Sequence, residues 1–471
     1  MRCLEDMSLS YDAIIIGTGQ AAPALAGRLT AAGKKVAVIE RGKFGGTCVN
    51  TGCIPTKTMV ASAYAAHMTH RAADFGIQIA CEVIVNMKQV KARKDQISGQ
   101  SRTGVEKYLK TMQNCTVYEG HARFQSPHEV YVNGETLAAE SIFINVGGRA
   151  SIPSIPGLEQ IQYLTNSSMM EVDFIPLHLV ILGGSYIGLE FGQMFRRFGS
   201  EVTIVEMGPR LLAREDEDVS ATIREIVERE GVDVRLSTHC VELAKDGDDI
   251  IVTLETDGRK TKLRGSHLLL AAGRRPNTDD LDLEKAGVAT DAHGYIPVDD
   301  QLGANVAGIW ALGDCNGKGG FTHTSYNDFE IVAANLLDGD SRRVSDRILA
   351  YNLYIDPPLG RAGMTERDAL AHSKQTGKQV LIGKRPMTKV GRAVEKGETL
   401  GFMKIMVEAE GGKILGAAIL GTGGDEVIHS VLDVMYAKAP YTVIQRAMHI
   451  HPTVSELIPT MLGELKPLAP A

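Results

Sequence analysis

The sequence is poor in the features that mark secreted, disulfide-stabilised or membrane-embedded proteins. Of its 471 residues only 7 are cysteine, and 5% are aromatic. Seven scattered cysteines are too few for the disulfide framework of a small secreted protein. No apolar run approaches the roughly 20 residues of a membrane span, and the N-terminus lacks the apolar core of a signal peptide. We therefore expect a cytoplasmic protein that has no membrane partner.

Clusters of positive charge are also missing. The formal net charge is -7, the sequence pI is about 6.0, and no long basic run occurs. Nucleic acids and anionic membrane surfaces attract basic clusters, so neither is an expected partner. The chain is 44% hydrophobic and contains 50 glycines. This is globular composition, and the length allows about two to four domains.

Some of the glycines belong to a pattern that occurs twice. Residues 13–40 read as apolar strand, glycine turn, small-residue helix, second strand and terminal acid, and residues 179–206 repeat this order. In both copies the first glycine stands 23 positions before the acid, Gly17 before Glu40 and Gly183 before Glu206. In such βαβ units the glycines bring backbone amides close to a pyrophosphate, and the acid receives ribose hydroxyls. The repeat predicts two dinucleotide sites.

Both copies deviate from the GxGxxG pattern only by small residues. The first keeps Gly19 but has Ala22 in the third position, while the second has Ser185 in the middle and keeps Gly188. Small side chains at these positions still permit close packing of helix and strand.

The acid of the second copy favours NADH over NADPH. Glu206 would accept hydrogen bonds from a free 2′-hydroxyl and repel a 2′-phosphate. Arg210 and Arg214 follow closely and could hold a phosphate, but the acidic run EDED at 215–218 predicts that this turn is simply a solvated face.

Two cysteines stand close together in GGTCVNTGCIPTK, residues 45–57. In a continuous helix, the Cα atoms of Cys48 and Cys53 would be about 7.5 Å apart, beyond the roughly 4.4–6.8 Å of a disulfide. Pairing therefore requires a bend, which Gly52 allows, and Pro55 suits the first turn of a following helix. We expect Cys53 just before that helix, where the dipole favours a thiolate.

The spacing alone leaves open that the two cysteines are reduced and unconnected. Their position, eight residues after the first nucleotide unit, favours a redox couple beside the cofactor. For the other five cysteines we expect inert thiols; these are Cys3, Cys81, Cys115, Cys240 and Cys315.

The cysteine stretch resembles the redox-active disulfide signature of the class I pyridine nucleotide-disulfide oxidoreductases, the family of glutathione reductase, dihydrolipoyl dehydrogenase and mercuric reductase. The resemblance extends over nearly the whole chain. It implies an α/β fold with two Rossmann-like dinucleotide-binding domains, one for FAD and one for NAD(P)H, plus an α+β C-terminal dimerisation domain. The expected boundaries are 1–150 and 276–345 for the FAD-binding domain, 151–275 for the NAD(P)H-binding domain and 346–471 for the dimerisation domain.

The resemblance also implies residue roles in electron transfer. NADH would reduce the flavin, the flavin would reduce the disulfide through Cys53, and Cys48 would attack the substrate. His451 would act as acid and base, held by Glu456, both from the other subunit of a homodimer. The implied role of Lys57 is to pair with Glu190 near the flavin.

The cofactor contacts implied by the resemblance fall into two groups. The FAD group comprises Gly17, Gly19, Ala22, Glu40, Gly46, Thr47, Lys57, Gly147, Gly313 and Asp314, the last two in GIWALGDC at 308–315. The NADH group comprises Gly183, Gly188, Glu206 and Gly273.

Three further interpretations concern single residues. Tyr186, in the second glycine turn, is either a packing residue or a gate over the nicotinamide pocket. We expect His323, Tyr326 and Asp328, in the stretch FTHTSYNDFE, to open a helix near the flavin rather than to contact the substrate directly. The histidine doublets lack partners at metal-site spacing, so no structural metal site is expected.

Within the family, mercuric reductase is resembled by the stretch IERGKFGGTCVNTGC and by Ser185. Three features differ from that enzyme: its N-terminal metal-binding domain and its C-terminal cysteine pair are not found in this sequence, and His451 is a base that mercuric reductases typically lack. We expect an NADH-dependent FAD enzyme that passes electrons through Cys48 and Cys53 to a thiol-reactive metal ion, Hg(II) or Cu(II), or to a small disulfide. One alternative is the dihydrolipoyl dehydrogenase of an acyltransferase complex, which shares the HPT motif. Another is a redox-sensing interaction subunit with slow turnover.

Overall fold

The first glycine-rich unit forms a parallel βαβ structure in the computed structural model, which describes residues 8–469. Cys3 lies outside the described residues. Strands β1 and β2 pair in parallel, with Ala13 opposite Val36. The elements up to residue 150 are β1 (Leu9–Ile16), α1 (Ala22–Ala31), β2 (Val36–Glu40), α2 (Gly46–Asn50), α3 (Cys53–His70), α4 (Met87–Lys110), β3 (Cys115–Glu119), β4 (Arg123–Ser126), β5 (Glu129–Val132), β6 (Glu135–Ile144) and β7 (Gly148–Ala150).

The first sheet has the order β3-β2-β1-β6-β5-β4. Its central strand β1 is buried from Ala13 to Ile16, as expected for a parallel strand covered on both faces. Asn133 and Gly134 form the turn that joins β5 to β6, which pair antiparallel.

The second glycine-rich unit forms a second parallel sheet in the order β10-β9-β8-β14. A separate antiparallel sheet, β11-β12-β13, follows the parallel strands, and β15 pairs with β7. The elements are β8 (His178–Leu182), α5 (Tyr186–Phe198), β9 (Glu201–Val205), α6 (Glu217–Arg229), β10 (Asp233–Arg235), β11 (Thr238–Asp246), β12 (Asp249–Thr256), β13 (Arg259–Gly265), β14 (His267–Leu270) and β15 (Arg274–Pro276).

The chain then returns to the first sheet. Two elements make this return, β16 (Ile309–Ala311) and α7 (Thr322–Leu337). Strand β16 pairs in parallel with β6, with Ala311 opposite Ile144. The return therefore brings the GDC turn at 313–315 to the carboxyl end of the strands that carry the first glycine turn.

The C-terminal part is an antiparallel sheet, in the order β17-β18-β21-β20-β19-β22, with helices. Every residue of its central strands β20 and β21 is buried. The elements are β17 (Ala350–Leu353), β18 (Leu359–Gly363), α8 (Glu366–Thr376), β19 (Val380–Pro386), α9 (Gly391–Glu395), β20 (Phe402–Glu408), β21 (Ile414–Leu420), α10 (Gly424–Tyr436), α11 (Thr442–Arg446), α12 (Leu457–Leu462) and β22 (Lys466–Pro467). The predicted fold class, with two nucleotide-binding βαβ sheets and an α+β C-terminal part, is confirmed. Within residues 8–469, no helix has the length and apolar character needed to cross a bilayer.

The prediction of a solvated face at residues 215–218 is wrong at its first two positions. Glu215 and Asp216 are only 3% and 7% exposed. Arg361 places its Nη1 atom 2.9 Å from Asp216 Oδ2, and Lys404 Nζ lies 2.9 Å from the same oxygen. Both cations come from the C-terminal sheet, so the pattern of neighbouring acids could not reveal them. The acidic run joins the second nucleotide unit to the C-terminal part.

Candidate active site

The two cysteines lie on either side of a break between two helices. Cys48 belongs to the short helix α2, and Cys53 is the first residue of α3 rather than the residue before it. The break at Gly52 is tight, since a Cβ atom there would lie 2.9 Å from the carbonyl oxygen of Thr47. The segment therefore has the predicted bend, and it brings the two free thiols close enough for each to shift the pKa of the other.

The environment makes the two thiols unequal acids. The hydrogen bond from Cys48 lowers the pKa of Cys53 from 9.0 to about 6, and Thr322 and Lys57 act in the same direction against the effect of burial. The same hydrogen bond, together with burial, raises the pKa of Cys48. At neutral pH the reduced pair therefore carries one thiolate, at Cys53, and one neutral thiol, at Cys48.

Thr322 contributes to this site although the sequence pattern did not single it out. Its Oγ1 atom lies 3.1 Å from Cys53 Sγ, across 269 positions of sequence. The signal was the stretch FTHTSYNDFE, in which a helix start was expected. Thr322 is the first residue of that helix, α7, and so its hydroxyl lies at a defined position beside the sulfur.

Lys57 and Glu190 form an ion pair next to the cysteines. The distance from Lys57 Nζ to Glu190 Oε2 is 2.6 Å, and the other carboxylate oxygen accepts a hydrogen bond from the backbone N–H of Tyr354 at 3.0 Å. The ammonium also lies 4.6 Å from the centre of the Tyr354 ring. The pair thus fixes a positive charge one helical turn from Cys53, where it favours the thiolate.

The two glycine turns have the same tight geometry. Gly17 and Gly183 have φ angles of 92° and 119°, which only glycine adopts readily. A Cβ atom on Gly17 would lie 2.5 Å from the carbonyl oxygen of Asn145, and one on Gly183 would overlap that of Ala271. Each turn therefore packs closely against the backbone that follows the neighbouring parallel strand, β6 for Gly17 and β14 for Gly183.

The two terminal acids also have matching partners. Glu40 accepts a hydrogen bond from the backbone N–H of Thr18 at 2.9 Å, and Glu206 accepts one from Gly184 at 2.7 Å. Each acid thus braces the glycine turn of its own unit.

The cleft beside the first turn suits a dinucleotide such as FAD. A Cβ atom on Gly19 would lie 2.6 Å from Asn145 Oδ1, and one on Gly46 would lie 3.0 Å from the Cα atom of Gly19. Asn145 is buried, and its Oδ1 atom has no hydrogen-bond partner among the described residues. Backbone that leaves no room for a Cβ atom, beside a buried acceptor without a partner, fits a polar ligand with its own donors.

The GDC turn borders the same cleft. A Cβ atom on Gly313 would lie 3.0 Å from Asn145 Nδ2. Asp314 pairs with Arg274 at 3.4 Å, and Asp328, from α7, accepts a hydrogen bond from the Gly313 N–H at 2.7 Å. Asp328 therefore positions the turn, while the Tyr326 ring packs on Phe329.

The remaining expected cofactor residues lie on the same two turns or their strand ends. Ala22 is the first residue of α1, and Thr47 lies in α2. Gly188 packs in α5 against the backbone of Gly183. Gly147 and Gly273 follow the last parallel strand of their units, and a Cβ atom on either would meet no atom within 4 Å.

Tyr186 opens helix α5 and packs against aromatic rings. Its ring lies edge-on to those of Phe321 and Tyr351, each with a centroid distance of 5.7 Å. Burial raises the pKa of the Tyr186 hydroxyl to about 12. His323 stacks on the Phe321 ring and lies 2.7 Å from the carbonyl oxygen of Ala350 through Nε2.

His451 and Glu456 pair with each other near the C-terminus of the chain. The distances from His451 Nδ1 to the two carboxylate oxygens are 3.1 and 3.0 Å. In residues 8–469 of one protomer, neither side chain hydrogen-bonds to a cysteine. The His451 side chain is 81% exposed, and its neighbours Met448 and Ile450 are 99% and 80% exposed.

One acidic group among the described residues has the spacing of a metal site. It consists of Asp216, Asp218 and Glu366. The ammonium of Lys404 lies 2.6–2.9 Å from an oxygen of each acid. The Lys404 ammonium therefore lies at the position where these three carboxylates would hold a metal ion.

Comparison with known proteins identifies the family. Residues 11–328 match the family described as pyridine nucleotide-disulphide oxidoreductase, and residues 349–462 match its dimerisation domain. The chain is 35% identical over 464 residues to the probable pyridine nucleotide-disulfide oxidoreductase RclA of Escherichia coli, covering 97% of this chain and 99% of RclA. The solved Cu(II) complex of RclA, described as an HOCl-induced flavoprotein disulfide reductase, matches with a TM-score of 0.88 at 33% identity, covering 98% of this chain and 100% of that chain.

Two other relatives carry different activities in their names. Mercuric reductase of Streptomyces lividans is 35% identical over 460 residues, covering 95% of this chain and 94% of that protein. Dihydrolipoyl dehydrogenase of Thermus scotoductus is 33% identical over 450 residues, covering 95% of each. The chain therefore belongs to the class I pyridine nucleotide-disulfide oxidoreductases, FAD-dependent flavoproteins with a redox-active disulfide that take electrons from a pyridine nucleotide, and its dimerisation domain supports a homodimer.

Proposed function

We propose that this protein is an NADH-dependent reductase that delivers electrons through the Cys48–Cys53 couple to a thiol-reactive metal ion, Cu(II) or Hg(II). The observation that carries the proposal is the geometry of the cysteine pair, with Cys48 and Cys53 on either side of the break at Gly52, Thr322 Oγ1 3.1 Å from Cys53 Sγ and the Lys57–Glu190 ion pair one helical turn away. When bound, FAD and NADH would supply the hydride transfer, for which amino-acid side chains have no suitable group.

The residues around the couple divide the work between the two sulfurs. Thr322, Lys57 and the N-terminus of α3 stabilise the thiolate of Cys53. Cys48 is the attacking thiol, and it must lose a proton to do so. The partner subunit's His451, oriented by the partner subunit's Glu456, would accept that proton, since this pair is exposed on the surface of a single protomer.

The exchange balances in electrons and protons. Oxidation of the dithiol to the Cys48–Cys53 disulfide releases two electrons and two protons. These electrons reduce two Cu(II) ions to Cu(I) or one Hg(II) ion to Hg(0); a small disulfide as acceptor would instead take both electrons and both protons to become two thiols. Reopening the disulfide takes two electrons and two protons, which the hydride of NADH and one further proton would supply.

The cofactor residues form two sets in the proposal. The FAD set is Gly17, Gly19, Ala22, Glu40, Gly46, Thr47, Lys57, Gly147, Gly313 and Asp314, in domain segments 1–150 and 276–345. The NADH set is Gly183, Gly188, Glu206 and Gly273, in segment 151–275, with Tyr186 as a packing residue beside the nicotinamide end. Segment 346–471 would form the dimer contact.

Glu206 supports NADH rather than NADPH. Both of its oxygens accept backbone hydrogen bonds, from Gly184 at 2.7 Å and from Gly208 at 2.7 Å. These bonds hold the carboxylate at the end of β9, where its charge would oppose a 2′-phosphate. The scarcity of cysteine and the redox role of the pair fit a reducing compartment such as the cytoplasm.

A metal ion is the favoured acceptor because of two relatives. One is RclA, solved as a Cu(II) complex, and the other is a mercuric reductase. The second candidate is dihydrolipoyl dehydrogenase activity, which the His451–Glu456 pair and the Thermus scotoductus relative support.

The test is NADH oxidation by the purified FAD holoenzyme with Cu(II), Hg(II), lipoamide or glutathione disulfide as acceptor. We expect turnover with a metal ion that Cys48→Ser and Cys53→Ser abolish, while Cys240→Ser, a thiol outside the site, retains it. Turnover with lipoamide alone would replace the first candidate by the second. Indifference to all four acceptors, with Cys48→Ser equal to wild type, would refute both.

A further inference from the structure

We propose that Tyr351 and Glu215 form a positioning pair through which the C-terminal sheet holds Tyr186 at the second dinucleotide turn and so raises the affinity for the nucleotide. The inference rests on the proposed function, because it takes the turn at Gly183 to be the nicotinamide dinucleotide site.

Glu215 is tied to the turn through the backbone. The Gly184 carbonyl accepts a hydrogen bond from the Leu212 N–H at 3.0 Å, and the Leu212 carbonyl accepts one from the Glu215 N–H at 2.8 Å. The Glu215 side chain is only 1% exposed. Its position is therefore fixed relative to the glycine turn, two hydrogen bonds away.

Tyr351 connects the same acid to the Tyr186 ring. The Tyr351 hydroxyl donates a hydrogen bond to Glu215 Oε1. Burial, together with the negative charge of Glu215, raises the pKa of Tyr351, so the hydroxyl remains a donor throughout the physiological range. The Tyr351 ring is stacked on Phe321 at 5.5 Å with an interplanar angle of 7°, and both rings meet Tyr186 edge-on. Tyr186 thus packs against a two-ring wall, one ring of which is held by Glu215.

The other oxygen of Glu215 faces the C-terminal sheet. Oε2 has no hydrogen-bond partner among the described residues and lies 3.6 Å from Arg361 Nη1. Arg361 is itself held by Asp216 at 2.9 Å. Tyr351 and Arg361 lie on neighbouring strands, β17 and β18, so one sheet edge fixes both sides of the carboxylate.

This arrangement pre-orders a side chain that borders the nucleotide. A ring held in place before binding loses less conformational freedom on binding, which strengthens association. Removing the Tyr351 hydroxyl should release the wall and lower the affinity for the nucleotide. The effect belongs to binding rather than to chemistry, so KM and Kd should rise while kcat stays.

The experiment is isothermal titration calorimetry of the FAD holoenzyme with NAD+ and with NADP+, on wild type, Tyr351→Phe and a control. The control is Tyr118→Phe, which removes a tyrosine hydroxyl hydrogen bond of 2.7 Å to Tyr11 in the first sheet. We expect Tyr351→Phe to raise the Kd for NAD+ about three- to tenfold, the size of one lost hydrogen bond, and Tyr118→Phe to leave it within about twofold.

Two variants of the acid keep the inference testable if Tyr351→Phe does not fold. Glu215→Gln retains an acceptor for the Tyr351 hydroxyl, whereas Glu215→Ala does not. We expect the Kd for NAD+ to rise in Glu215→Ala and to return most of the way toward wild type in Glu215→Gln. A rise in NADH KM at unchanged kcat should accompany each loss of affinity.

The outcomes separate the inference from the function beneath it. Equal Kd values for Tyr351→Phe and Tyr118→Phe, or tighter binding by Tyr351→Phe, would overturn the positioning role alone. A wild-type holoenzyme that binds neither NAD+ nor NADP+ would refute the proposed function and the inference with it.

Discussion

The hydroxyl of Thr322 should control the acidity of Cys53. Thr322→Val keeps the shape of the side chain and removes the atom that lies 3.1 Å from Cys53 Sγ. A hydrogen bond to a charged group contributes about 1.5–3 kcal/mol, and one pKa unit corresponds to about 1.4 kcal/mol. Because Cys53 keeps access to solvent in the protomer despite its partial burial, solvent replaces part of the lost interaction. We therefore expect the pKa of Cys53 to rise by about one unit, from about 6 to about 7.

The assay is the pH dependence of alkylation of the reduced holoenzyme by iodoacetamide, with the two cysteines resolved by peptide mass spectrometry. In wild type, Cys53 should react with a midpoint near pH 6 and Cys48 only at much higher pH. Thr376→Val is the matched control, since it removes a hydroxyl hydrogen bond of 2.8 Å in α8. A wild-type midpoint for Cys53 near 9, or identical midpoints in wild type and Thr322→Val, would refute the reasoning.

Three further predictions concern the rest of the site. Lys57→Met leaves Glu190 buried without its cation, so the free energy of unfolding in urea should fall by about 2 kcal/mol; an unchanged midpoint would contradict this. The loss is smaller than the roughly 3–5 kcal/mol for a fully buried pair because Lys57 is 31% exposed. Gly17→Ala should abolish the FAD absorbance of the purified protein, whereas Gly183→Ala should retain FAD and lose NAD+ binding in calorimetry, because the new Cβ atoms would collide with the carbonyl oxygens of Asn145 and Ala271, respectively. Loss of FAD in both variants would refute the division into two sites. In stopped-flow absorbance, His451→Gln should slow reduction of the acceptor by about 10²-fold or more, as expected for loss of a general base, and leave reduction of the enzyme's flavin by NADH unchanged. Equal slowing of both half-reactions would exclude that role.

Local patterns were enough to place the nucleotide units. The βαβ repeat depends on neighbouring residues, so Gly17, Gly183 and both acids were found from spacing alone. The helix after Cys53 was also expected, and its start differs by a single residue. Resemblance to a known family, rather than physics, supplied the pairing of Lys57 with Glu190.

Contacts between distant segments could not be predicted in the same way. Thr322 reaches Cys53 only because α7 returns to the first sheet, and nothing in the composition of its stretch distinguishes it from its neighbours. The acids at 215–218 were expected to be solvated because Arg361 and Lys404 lie on strands far along the chain. Tyr351 carries no motif, and its importance follows only from the hydroxyl that meets Glu215.

The central claim is that electrons from NADH pass through Cys48 and Cys53 to the acceptor. The most direct measurement is anaerobic alkylation of the oxidised holoenzyme after addition of NADH, and again after addition of Cu(II) or Hg(II), with each cysteine quantified by mass spectrometry. We predict that NADH makes both cysteines reactive, that the metal ion returns them to an unreactive disulfide recoverable with dithiothreitol, and that Cys240 does not change. If Cys48 and Cys53 remained unreactive after NADH had reduced the flavin, the account would be contradicted.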